Sequence, residues 1–230
     1  MSAQRISAPW WLGYGVLAAV HLGCQVFAPE TIGTRLTQVL LAPLLIVVLA
    51  RSTTAPRSRT VRWTISALVF CFLGDLLPGV LPESVRFPAM IGAFLIAQSQ
   101  FIVAFAPWRR HSILVRRRGL AVIYGAAFLV LVVTVGPKAG VLFIPVVVYG
   151  AMLTAMGLLS TGIGRLGALG GVLFFVSDAL IAINTFALAV PAAGFVIMAT
   201  YAAALALLVA AVVALPDRSP EPNAVPSSPV

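Results

Sequence analysis

Eight apolar runs, near residues 10–28, 33–50, 62–81, 87–106, 119–136, 139–160, 166–189 and 193–215, take up most of this 230-residue chain. Each is about as long as the 20 or so residues a helix needs to cross a bilayer core. Hydrocarbon offers backbone groups no water, so runs of this kind must satisfy their hydrogen bonds internally, as helices. A soluble fold is excluded by composition: 61% of residues are hydrophobic and 9% charged, against roughly 25% charged in an ordinary soluble domain. The sequence predicts an all-α polytopic membrane bundle of about eight transmembrane helices. It forms a single domain over residues 1–215, followed by a disordered Pro/Ser-rich tail over 216–230.

The net charge of +9 acquires its meaning from where the charges fall. Counting loops alternately, the side that holds the N-terminus collects Arg5, Arg51, Arg57, Arg59, Arg62, Arg109, Arg110, Arg116, Arg117, Arg118, Arg165 and Arg218. The opposite side keeps only Arg35, Arg86 and Lys138. Arg- and Lys-rich short loops stay in the cytoplasm, so both termini are expected inside a cell membrane. The basic balance reports orientation and gives no sign of a nucleic-acid partner. Spans six and seven are joined only by a short Gly-rich link.

The first span reads as uncleaved, since no small-residue cleavage pattern follows it. His21-Leu22-Gly23-Cys24 resembles a lipoprotein box but has His21 where an aliphatic residue is expected. Cys24 and Cys71 lie in different spans and read as small hydrophobes. Neither a disulfide framework nor a metal site has the spacing it would need. One Lys against 14 Arg, with abundant Ala and Val, points to a GC-rich bacterial source.

Of six acidic residues, Glu30, Glu83, Asp217 and Glu221 fall in loops or the tail, whereas Asp75 and Asp178 lie deep in spans three and seven. An ionisable group at mid-bilayer costs at least about 2.5–3.5 kcal/mol and so faces the bundle interior, where it marks a functional path. The bland alternative is a protonated aspartate that hydrogen-bonds a neighbouring helix. Two matched aspartates weaken that alternative. Phe72-Leu73-Gly74-Asp75-Leu76-Leu77 and Phe175-Val176-Ser177-Asp178-Ala179-Leu180 share a pattern, and Arg62 and Arg165 each precede their aspartate by 13 residues. At 1.5 Å per residue both carboxyls lie about 20 Å from the arginine-rich side. Gly92-Ala93-Phe94-Leu95-Ile96-Ala97 is echoed by Gly194-Phe195-Val196-Ile197-Met198-Ala199. These echoes point to a 4+4 parallel internal repeat with both carboxyls at one depth near the repeat interface. Two carboxyls in unequal surroundings can divide labour, one as general acid and the other as ionised base or cation stabiliser.

Gln98, Tyr149, Ser177, Asn184 and Tyr201 are further polar residues inside the spans that can orient water or a substrate. Interhelical hydrogen bonding is the ordinary role of such residues. His21 reads as structural, and Gly167-x-x-x-Gly171 as a close helix contact.

Phe72-x-Gly74-Asp75-Leu76-Leu77 and Gly171-x-Leu173-Phe174-x-x-Ser177-Asp178-x-x-Ile181-Ala182 resemble the YhhN-like family, the lysoplasmalogenases. Phe94-Leu95-Ile96-Ala97-Gln98-x-x-Phe101-x-x-x-Phe105 in span four and Tyr149 with Met156 in span six support the resemblance, in the family's order. It implies an eight-span hydrolase that cleaves the vinyl-ether bond of a lysoplasmalogen to a fatty aldehyde and a glycerophospho-alcohol, with a lipid substrate and no metal or cofactor. Asp75 and Asp178 would be catalytic, and Gln98, Tyr149, Ser177 and Tyr201 would bind substrate. Asp178 is the expected proton donor, Asp75 the stabiliser of the resulting cation, and Arg35, Arg86 or Lys138 a phosphate partner for a site that opens outward. The chain departs from the family at Gln38, where Lys is common, at Gln98 and Phe101, where a His-x-x-Tyr pair is common, and at Leu205, where Gln is often found.

Three other readings compete. An intramembrane aspartyl protease also uses two aspartates, but Phe72-Leu73-Gly74-Asp75 lacks the first glycine of its Gly-x-Gly-Asp pattern and Ser177 stands where it has Tyr. A proton-coupled transporter or lipid-binding protein would use the aspartates without hydrolysis, and Pro78-Gly79 is the kind of helix break such proteins carry. A diverged family member would act on another ether lipid.

Overall fold

The computed structural model describes residues 2–29 and 31–216. Glu30 and nearly all of the expected tail, from Asp217 on, lie outside the described residues. The described chain is helical and contains no strand. Its eight long helices are α1 (Ser2–Phe27), α2 (Ile32–Ser52), α3 (Arg59–Val80), α4 (Glu83–Phe105), α5 (Arg118–Val135), α6 (Phe143–Ser160), α7 (Arg165–Phe186) and α8 (Ala193–Val213). Each carries a segment long and apolar enough to cross a membrane, so the chain is a multi-pass membrane protein.

The helix ends follow from local chemistry. Thr31 caps α2 by accepting the Thr34 N–H, and Ser58 caps α3 by accepting the Val61 N–H, each satisfying a backbone donor that has no partner within the helix. Pro82 immediately precedes α4. The Gly-rich link between α6 and α7 is a 3₁₀ turn, Thr161–Ile163, closed by Gly164 at φ 99°. That conformation favours glycine, and it allows α7 to begin at once. Span four ends at Phe105, and the arginine-rich stretch beyond it forms a 3₁₀ segment, Ala106–His111, and a single helical turn, Ile113–Arg116.

Large side chains such as Leu12, Phe27, Ile32, Val141 and Ile144 are exposed around the bundle. In a water-soluble monomer that much outward apolar surface would be anomalous; here it is the lipid-facing wall. The core is built from α2, α3, α4, α7 and α8, with Leu41, Leu45, Leu68, Phe101, Phe174 and Leu208 fully buried. Helix α3 packs along α4, and α7 along α8.

Helices α3 and α7 also bury the same positions. Thr64, Ala67, Leu68, Cys71, Gly74 and Asp75 are buried on α3. Gly167, Gly170, Gly171, Phe174, Ser177 and Asp178 are buried on α7, in the register that pairs Arg62 with Arg165. One stripe of three- and four-residue spacing therefore turns both aspartates inward.

Candidate active site

Asp75 and Asp178 are 8% and 6% exposed. Each is held by one amide and one phenol from other helices. Gln38 of α2 donates from Nε2 to Asp75 Oδ1 at 3.0 Å, and the Tyr201 hydroxyl of α8 donates to Asp75 Oδ2 at 2.9 Å. Gln98 of α4 donates from Nε2 to Asp178 Oδ2 at 3.0 Å, and the Tyr149 hydroxyl of α6 donates to that same oxygen at 2.5 Å. Gln98 Nε2 also donates to the Tyr149 oxygen at 3.3 Å. The pattern has a two-fold character. Gln98 follows Asp75 by as many residues as Tyr201 follows Asp178, yet each bonds the other half's carboxyl.

The two carboxyls differ in what remains open. Both oxygens of Asp75 accept hydrogen bonds. Asp178 takes both of its donors on Oδ2, and its Oδ1 has no hydrogen-bond partner among the described residues. Gln98 Oε1 is buried without a partner, a vacant acceptor on the side chain that already touches Asp178. A buried acceptor left unmet costs about 1–3 kcal/mol, so this atom suits a water or a substrate hydroxyl.

Two cavities flank the pair. One, a narrow cleft, lies among α4, α5, α6 and α7 and is walled by Phe87, Met90, Leu131, Leu153, Ile181 and Phe186, with Asp178 and Tyr149 its polar points. The other, wider and open, lies at the end of α2, α3 and α4 away from the arginine-rich side and reaches Asp75 and Gln38. Phe94 stands on the seam. It walls the first cavity and meets the Tyr201 ring edge-on at 5.8 Å. A Cβ on Gly74 would lie 2.7 Å from its ring, so only glycine beside Asp75 admits it.

Of the residues singled out in the sequence, five fall into two hydrogen-bonded groups, Asp75 with Tyr201 and Asp178 with Gln98 and Tyr149. Ser177 points elsewhere, its hydroxyl donating to the Ile197 carbonyl on α8 at 3.1 Å, a helix-to-helix link. Asn184 Oδ1 accepts the Val190 N–H. His21 is fully buried, with Nδ1 2.9 Å from the Thr37 hydroxyl. Gly171 sits where any Cβ would meet Ser160 and Gly157 of α6, the close helix contact its spacing suggests. Among the described residues no cluster of His, Cys, Asp or Glu could hold a metal ion.

The family model described as the YhhN family matches residues 33–212. The chain belongs to the YhhN family. Two curated relatives, each named lysoplasmalogenase, from Mycobacterium bovis and Mycobacterium tuberculosis, are 33% identical over 223 residues, covering 90% of this chain and 85% of each relative. No solved structure matches.

Set against this YhhN-family resemblance, the departures fall into two kinds. Gln38 and Gln98 are the amides that hold the carboxyls. Phe101 and Leu205 are fully buried core, Phe101 stacking on Phe105 and meeting Phe174 edge-on. Gln38 is the site residue that sequence reasoning passed over as a binding candidate. A lone Gln in a span is ordinary interhelical glue, and only its place opposite Asp75 marks it out.

Proposed function

We propose that this YhhN-family protein is a membrane hydrolase that cleaves the vinyl-ether bond of a lysoplasmalogen by two-carboxylate acid–base chemistry. The observation that carries the reading is the unequal bonding of the two aspartates between an apolar and a polar cavity. Asp75 has both oxygens engaged as acceptors, the arrangement of an ionised carboxylate. Asp178 keeps Oδ1 free to carry a transferable proton, beside the apolar cavity. The relatives' name, lysoplasmalogenase, supplies the substrate class.

A lysolipid lying across the pair would set its alkenyl chain among Phe87, Met90, Leu153 and Phe186 and its glycerol toward Asp75. The outer vinyl carbon is then nearer Asp178. Asp178 gives its proton to that carbon, the π pair forms the new C–H bond, and an oxocarbenium ion develops at the carbon bonded to oxygen. The Asp75 carboxylate stabilises it, as one carboxylate does in glycoside hydrolysis. Water held by Gln98 Oε1 adds to the cation and passes a proton to Asp75. In the resulting hemiacetal the bond to the glycerol oxygen breaks. Asp75 returns its proton to that oxygen, and the hemiacetal hydroxyl returns one to Asp178. The products are a fatty aldehyde and a glycerophospho-alcohol, with both carboxyls restored.

The chemistry needs a protonatable double bond next to oxygen. The purified protein is therefore expected to release aldehyde from a 1-alkenyl lysophospholipid and nothing from its saturated 1-alkyl or 1-acyl counterpart. Release of a fatty acid from the acyl lipid, with no aldehyde from the alkenyl lipid, would replace this reading with an esterase. The distribution of Arg and Lys further supports both termini in the cytoplasm and the Asp75 cavity opening outward, and the excess of Arg over Lys supports a bacterial cell membrane as the setting.

A further inference from the structure

We propose that Arg35 and Arg86 form a phosphate-binding subsite at the mouth of the Asp75 cavity and that it takes the phosphodiester of a lipid head group. The inference rests on the hydrolase reading for its choice of lipid and on the cavity for its chemistry. The two arginines are among only three cations on this side of the chain, and both line one cavity together with Thr34, Gln38 and Asp75. They come from different helices, each in a first turn, Arg35 on α2 and Arg86 on α4, the ends at which helix dipoles favour an anion. Arg86 uses Nε alone, on the Leu81 carbonyl at 3.4 Å, and the Arg35 guanidinium makes no side-chain hydrogen bond among the described residues. Their terminal nitrogens therefore have donors to spare, in the fork geometry that matches phosphate oxygens.

The spacing fits as well. An ideal Cβ on Gly79 would lie 3.9 Å from an Arg35 terminal nitrogen, so that guanidinium crosses α3 one turn beyond Asp75. Four residues of helix are about 6 Å along the axis. In a lysolipid the phosphorus is separated from the sn-1 ether oxygen by five bonds of about 1.5 Å, or about 6 Å staggered. A phosphate gripped at the Gly79 level would thus hold the ether oxygen at the level of Asp75.

The test is equilibrium binding in nonionic detergent of two lipids that cannot be hydrolysed by this chemistry, 1-alkyl-glycerophosphoethanolamine and 1-alkylglycerol. Wild type is expected to prefer the phosphate lipid by about ten- to a hundredfold, the range of one net charge-assisted hydrogen bond. Arg35→Gln and Arg86→Gln should each shrink that ratio, the double variant should bring it near one, and the paired Lys variants should recover part of it. An undiminished ratio in the double Gln variant, or no preference in wild type, would overturn the subsite. Inorganic phosphate is the competing source of the same chemistry. Displacement of the phosphate lipid by sub-millimolar inorganic phosphate would assign the arginines to free phosphate and refute a lipid site. Aldehyde release from the 1-alkenyl lipid, measured on the same preparations, judges the hydrolase separately: a phosphate preference without aldehyde keeps the subsite and removes the reaction.

Discussion

Replacing Gln98 with Met separates catalysis from stability, because the same side chain makes two hydrogen bonds and leaves one atom unmet. The change removes the Nε2 bonds to Asp178 and to Tyr149, worth about 0.6 kcal/mol each between membrane helices. It also removes the buried Oε1 that has no partner, relieving a penalty of about 1–3 kcal/mol if that atom is dry. With Oε1 hydrated the loss of about 1.2 kcal/mol stands alone, and with it dry the relief exceeds the loss by at most about 1.8 kcal/mol, so stability should stay within about 2 kcal/mol of wild type, a melting shift within about 8 °C for a chain of this size. Tyr149 remains to hold Asp178. The attacking water loses its acceptor, and misplacement by about 1 Å costs about a hundredfold in rate. The assay is kcat for aldehyde release from 1-alkenyl lysophospholipid alongside thermal unfolding in one detergent. A kcat within threefold of wild type would refute the role given to Oε1. A fall in kcat matched by a collapse in melting temperature would make Gln98 a structural residue.

Gly171→Ala should lower stability by about 1–3 kcal/mol through overpacking, and adding Ser160→Ala should restore at least half, since the Ser160 hydroxyl is the nearest obstacle; thermal unfolding of the single and double variants decides it. Ala182→Trp narrows the apolar cavity and should shift the preferred alkenyl chain by two or more carbons toward shorter substrates, read from kcat/KM over a chain-length series. With Cys24 and Cys71 replaced by Ala, a membrane-impermeant thiol reagent on intact cells should label Lys138→Cys and spare Arg110→Cys; the reverse pattern would invert the topology.

The bundle was legible because hydropathy leaves a membrane chain little choice. Eight apolar runs of this length and so little charge fold as helices, and the boundaries near Arg59, Arg118 and Arg165 are written in charge. Asp75 and Asp178 stood out for the same reason, being carboxyls where none belongs. What could not be read was the pairing across the bundle. Tyr201 follows Asp178 on the next helix, yet it bonds Asp75, because α8 packs against α1, α2 and α3 as well as α7. Ser177 and Gly74 occupy equivalent positions one residue before their aspartates, but the Ser177 hydroxyl turns to a backbone carbonyl while Gly74 makes room for Phe94. Gln38 was hidden by its ordinariness, since an amide in a span declares nothing until the carboxyl facing it is known.

The central claim is that two carboxyls in one membrane site share the hydrolysis of a vinyl ether. Aldehyde release from purified 1-alkenyl lysophospholipid, compared between wild type, Asp75→Asn and Asp178→Asn in the same detergent, tests it most directly. Asn keeps the size and an acceptor for the neighbouring Gln or Tyr but cannot carry the proton. The account predicts release by wild type and a loss of at least about a hundredfold in each variant, within the 10²–10⁴ range of general acid–base catalysis. Release by either Asn variant at the wild-type rate would contradict it.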